Sequence, residues 1–169
     1  KRLNYYDQFS IGLYESFTFH PIEKLESNNS MNVYYKKINS FLPETSSDYD
    51  GFSAFLETDN NYVLNENKTY FISFDFWYQF PQYYSIYKFK GYSNLDLGFK
   101  SLWLDKKLIF TIYASDVFKT LKNKNTSVFN GINTSFENYE NRQSIRFSLK
   151  YSFGNNTNNI KSINSSNQE

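Results

Sequence analysis

One histidine, His20, and no cysteine stand among the 169 residues. No His–His or His–Cys pair can therefore hold a transition metal, and thiolate chemistry and disulfides are excluded. The chain has no Gly-x-Ser-x-Gly elbow, no phosphate loop and no His-Glu-x-x-His motif. Asp48, Asp50, Glu57 and Asp59 are close in sequence but lack the one-three-five spacing, closed by a Glu, of a calcium loop. They read as solvated acids, and Lys122 to Lys124 as a solvated charge run. His20, before Pro21, reads as exposed turn structure. The expectation is no enzyme and no cofactor. Better placed are Asp75, Asp96, Lys100, Arg146 and Lys150, which recur on the polar phase of alternating segments. Tyr83, Tyr84 and Tyr87 crowd a polar link where rings could stack on a ligand.

Those residues ride on segments of period two. Ile145, Phe147, Leu149, Tyr151 and Phe153 alternate with Ser144, Arg146, Ser148, Lys150 and Ser152. A helix would need an apolar residue at i+3 as well as i+4, and here i+3 is always polar, so the segment is a strand. Tyr70, Ile72, Phe74, Phe76 and Tyr78 repeat the pattern against Ser73, Asp75 and Gln79. Leu95, Leu97 and Phe99 do so against Asp96 and Lys100, and Leu108, Phe110, Ile112 and Ala114 against Thr111 and Ser115. Weaker versions run through Phe9 to Phe19, Met31 to Tyr35 and Phe52 to Leu64. Seven strands are predicted, several longer than the usual five or six residues or so.

The connections alternate in length. His20–Lys24, Asn65–Lys68 and Leu104–Lys107 are short and polar, whereas 39–50, 79–92 and 119–141 are long. Short turns at one end and long loops at the other fit a barrel in a bacterial outer membrane. Rings gather toward the strand ends, with Trp77 and Tyr78 near one, and Trp103 and Phe153 near the other. They read as interface aromatics. Glu15, Ser27 and Asn29 fall on the apolar phase, which places them near the rim or marks a slip of phase. Gly154 to Glu169, mostly Asn and Ser, reads as a disordered periplasmic tail.

Composition agrees. Aromatic residues make up 21% of the chain, yet its mean hydropathy is −0.65, as strands with one greasy and one wet face require. The net charge of +1 argues against a nucleic-acid binder. No run approaches the roughly 18 apolar residues of a membrane-spanning helix. The first residues lack the apolar stretch of a signal peptide, and the only Met is Met31. A piece of a longer protein is expected.

From Gln79-Phe80-Pro81-Gln82-Tyr83-Tyr84 onward the chain resembles a known family. The carrying segments are Ser93-Asn94-Leu95-Asp96-Leu97-Gly98-Phe99-Lys100, Leu104-Asp105-Lys106-Lys107-Leu108, Ser115-Asp116-Val117-Phe118, Gly131-Ile132-Asn133 and Arg146 through Gly154. Their order and spacing are similar to the C-terminal barrel of outer-membrane β-barrel proteins of the TonB-dependent receptor type, abundant in Bacteroidetes. The likeness covers roughly residues 6 to 154. It implies the last seven strands of an antiparallel up-and-down transmembrane barrel of about 22 strands, with residues 1–153 as barrel and 154–169 as tail. It further implies an importer of a scarce nutrient in the outer membrane of a Gram-negative bacterium. Its partners would be lipid, the upstream strands and plug of the same receptor, a TonB-type energy-coupling protein acting through the plug, and a surface lipoprotein. Two other readings of the strands stand beside it: a soluble or surface-attached β-sandwich binding partners, and a small passive barrel, which would need an eighth strand.

Overall fold

Every element of the computed structural model, which describes residues 6–41, 48–84, 87–129 and 131–153, is a strand or a connection between strands. The strands are β1 (Tyr6–Ile22), β2 (Leu25–Ser40), β3 (Tyr49–Val63), β4 (Tyr70–Gln79), β5 (Gln82–Tyr84), β6 (Tyr87–Phe89), β7 (Tyr92–Trp103), β8 (Leu108–Ser115), β9 (Lys122–Phe129), β10 (Ile132–Tyr139) and β11 (Ser144–Tyr151). Every pairing is antiparallel. The expected tail lies outside the described residues.

The seven alternating segments form one sheet, a meander in the order β1-β2-β3-β4-β7-β8-β11. Directly opposed residues share a face, so the register decides what each face carries. One row runs Phe19, Ser27, Asn60, Phe74, Leu97, Ala114, Ile145. The row two residues toward the long links runs Phe17, Asn29, Thr58, Phe76, Leu95. These rows belong to an apolar face interrupted only locally. Glu15 faces Met31 across the pair, so Glu15, Ser27 and Asn29 do stand on this face. Asn29 donates to Ser27 Oγ (3.0 Å) and Asn60 to Thr58 Oγ1 (2.9 Å), so the polar island partly satisfies its own groups.

The apolar face packs on nothing else in the described chain. Ile145, Phe147 and Leu149 are 65–69% exposed, and Ile38 and Leu95 are the only buried hydrophobic residues described. A soluble monomer rarely exposes so continuous an apolar surface. A two-faced strand reaches this state only where a second apolar phase covers it.

The short connections are tight. Asn65 holds the β3–β4 turn with its side chain, accepting from the backbone N–H of Thr69 (2.9 Å) and Tyr70 (3.0 Å). Leu104, Asp105 and Lys106 all take positive φ between β7 and β8. Lys107 N–H closes that turn on Leu104 C=O at 3.0 Å.

The long connections depart from expectation, for they are not plain loops. The links 79–92 and 119–141 carry four more strands, which form a second sheet in the order β10-β9-β6-β5. Its joint is the pairing of β6 with β9, residues from two different links. Three-residue strands such as β5 and β6 are too short to show a period, and β9 (Lys-Asn-Lys-Asn-Thr-Ser-Val-Phe) is mostly polar. Their order comes from pairing with one another, which local pattern does not encode.

Candidate functional site

The other face of the main sheet is polar, and carboxylates cross its centre. Asp59 on β3 opposes Asp75 on β4, which opposes Asp96 on β7. Like charges directly opposite repel. Among the described residues no cation lies within ion-pair distance of any of the three. A hydroxyl bridges two of them: Tyr113 Oη is 3.1 Å from Asp75 Oδ2 and 3.1 Å from Asp96 Oδ2. A phenol has one proton to donate, so the pair retains unbalanced negative charge.

Tyr113 reaches that position because Gly98 faces it across β7 and β8. A Cβ on Gly98 would lie 3.2 Å from the Tyr113 ring and would collide with the Ser73 hydroxyl. The missing side chain lets the ring lie over the glycine. Arg146 of β11 sits 5.3 Å from the Tyr113 ring centroid, a cation–π contact. It makes no ion pair among the described residues.

Asp96 also organises the link after β8. Its Oδ1 accepts from Asp116 N–H (2.8 Å) and Asn94 Nδ2 (2.9 Å). Asp116, at φ 47° and fully buried, accepts in turn from Thr120 N–H (2.9 Å) and Tyr139 Oη (3.2 Å). Partial desolvation and the Asp116 carboxylate raise the Tyr139 pKa above that of an ordinary phenol. The small sheet is thus tied down at β10.

It is also tied down at β5. Tyr34 Oη donates to Gln82 Oε1 (2.6 Å), Lys36 donates to Tyr83 C=O (3.2 Å), and Tyr49 stacks on Tyr83 at 3.7 Å. Tyr34, Lys36 and Tyr49 belong to the polar face, since Gly12, Tyr34 and Ser53 share a row with it. The second sheet therefore folds inward over the polar face at its long-link end.

Beside it, between β4, β7, β11 and the connections flanking β9 and β10, is a polar cavity of about 440 Å³, lined by Trp77, Asn94, Asp96, Arg142 and Arg146 among others. A smaller one of about 210 Å³ shares Trp77 and Arg142 with it and adds Asn123 and Glu140. Asn94 is 7% exposed, and its Oδ1, like that of Asn123, has no hydrogen-bond partner. Buried acceptors left unpaired are costly.

The residues anticipated from sequence fall as follows. Asp75, Asp96, Lys100, Arg146 and Lys150 all stand on the polar face, and Asp96 and Arg146 line the same cavity. Lys100 sits over the Phe71 ring at 4.4 Å. Tyr78 and Trp103 stand on the apolar face, opposite Leu56 and Leu108. Phe153 is 89% exposed, edge-on to Tyr151 at 4.6 Å. Trp77 is different. It opposes Glu57 and Asn94 on the polar face, between Phe55 (5.8 Å) and Tyr92 (5.4 Å). Its position is a cavity wall and not the interface belt expected for it. Of the link tyrosines, Tyr83 is committed to Tyr49, while Tyr84 and Tyr87 stay exposed. His20, exposed and 3.9 Å from Glu26, lies near the end of β1 and not in the turn expected for it, because β1 runs on through Pro21 to Ile22. Asn94, Tyr113, Asp116 and Tyr139 were not singled out. Of these, Asn94 and Asp116 lie in segments that carried the resemblance, without an assigned role.

Residues 1–151 match the outer membrane protein beta-barrel family, and the chain belongs to it. No curated protein and no solved structure matches the chain. Membership sets the chain in the bacterial outer membrane.

Proposed function

We propose that this member of the outer membrane protein beta-barrel family is the C-terminal wall of a TonB-dependent-type import receptor. The seven-stranded sheet presents its apolar face to lipid and its polar face to a lumen. Further strands of the same receptor complete the wall, because β1 and β11 are the sheet's open edges among the described residues and lipid does not tolerate unpaired edges. In this reading a plug fills the lumen, and a TonB-type protein pulls on the plug to admit a scarce nutrient. The chain itself performs no covalent chemistry. Its part is to bind ligand on the polar face beside the second sheet and to support the plug.

One observation carries the reading: the second sheet is anchored inward over the polar face and leaves a polar cavity there. A passive pore gains nothing from an ordered sheet folded over its lumen beside a polar cavity, whereas a receptor has a use for both. The test uses outer membranes probed with an antibody to residues 154–169, on gels run with and without boiling. The importer reading expects a heat-shifting band several-fold heavier than 20.2 kDa. It also expects loss of uptake of the same nutrient when either this gene or the energy-coupling protein is deleted. A heat-shifting band near 20 kDa would contradict it.

A further inference from the structure

The charges around the larger cavity have a direction. Asp59, Asp75 and Asp96 lie on β3, β4 and β7, without a cation among the described residues. Arg146, on β11, has the Tyr113 ring as a neighbour and no carboxylate. Asp96 and Arg146 both line the cavity, two strands apart, a lateral separation of roughly 10 Å at ordinary strand spacing. No ion pair joins their side chains among the described residues. Trp77 supplies an apolar wall. Arg142 is engaged by Glu140 at 2.5 Å, and Asp116 is fully buried. The free chemistry is therefore one anionic end, one cationic end and one apolar wall.

Resting on the reading of the polar face as a ligand path, we propose that this cavity binds a zwitterion of dipeptide size. The ammonium group takes the Asp96 side, where Oδ2 shares a single phenolic proton with Asp75. The carboxylate takes Arg146, whose planar fork suits two parallel hydrogen bonds to a carboxylate. An apolar side chain lies against Trp77. A neutral polyol would leave Arg146 and the acidic row uncompensated. A simple cation or a simple anion would answer only one end.

The test is titration calorimetry of the full receptor, purified from outer membranes in detergent. The probes are L-alanyl-L-phenylalanine, its N-acetyl form, its C-terminal amide, and maltose. The free dipeptide is expected to bind, and blocking either end is expected to weaken binding at least about ten-fold, the scale of one charge-assisted hydrogen bond. Arg146→Gln should make the acid and the amide bind alike, and Ser148→Ala should leave the dipeptide's affinity unchanged. Equal binding of blocked and free dipeptides, stronger binding of maltose, or no binding of the dipeptide would overturn the assignment. Dipeptide binding without cellular uptake would uphold this site and count against the importer. Energy-dependent uptake of another nutrient with no dipeptide binding would do the reverse.

Discussion

Tyr113 concentrates much of the site in one side chain: its hydroxyl serves two carboxylates and its ring carries Arg146. Removing the hydroxyl leaves Asp75 with no donor and Asp96 with donors on Oδ1 alone. Tyr113→Phe is therefore expected to lower stability by about 1–3 kcal/mol, read as a reduced urea midpoint for the protein folded in lipid vesicles. An unchanged midpoint would mean that the two carboxylates need no such donor. Asp75, Asp96 and Arg146 were legible beforehand because charged residues on one phase of a two-phase strand have one direction to point. Tyr113 was not, since a ring on the polar phase looks like noise until the glycine opposite it is known. Trp77 misled for a related reason. Closeness in sequence to Tyr78 says nothing about face, and adjacent strand residues point opposite ways.

Turns and the second sheet hold the elements in register. Asn65 satisfies two backbone donors of the β3–β4 turn, so Asn65→Ala should cost about 1–2 kcal/mol, seen as a lower unfolding midpoint. Between β7 and β8, Asp105 and Lys106 hold positive φ without being glycine. Asn-Gly in their place suits the turn and should raise stability by about 1 kcal/mol. In the second sheet, Lys124 bonds Glu137 across β9 and β10 at 2.9 Å and holds its carboxyl below the usual range. A carboxyl depressed on folding stabilises fully above its unfolded value of about 4.3. That contribution is lost as pH falls through the lower folded value. Protection factors for amide exchange in β9 and β10 should therefore fall on acidification below about pH 4, and less so in Glu137→Gln. The same sign holds for Glu66, held low by its hydrogen bond to Lys24 between two short turns. The seven long strands were legible because each repeats its period over several residues. The second sheet was not: β5 and β6 have three residues each and gain order from each other, from β9 and from the side chains of β2 and β3.

At the scale of the molecule, two incompatible faces on one sheet decide the setting. Rows of Phe, Leu and Ile stay exposed on one side, and the other carries the acidic row and the cavity. Family membership puts the sheet in the outer membrane, and in the proposed reading the apolar rows meet lipid. Phe74→Arg or Phe147→Arg should then cost about 2–4 kcal/mol near the bilayer midplane and hinder insertion, while Ser148→Arg should be tolerated. Equal insertion of all three would count against the assignment. The most direct measurement uses the absence of cysteine in the chain. Single cysteines are placed in turn at residues 145 through 150 of β11, labelled with a fluorophore, and challenged with a quencher carried on lipid tails and with aqueous iodide. Labels at 145, 147 and 149 should be quenched from the lipid and those at 146, 148 and 150 should not. Loss of that alternation, or its reversal, would contradict a lipid-facing apolar face and the account built on it.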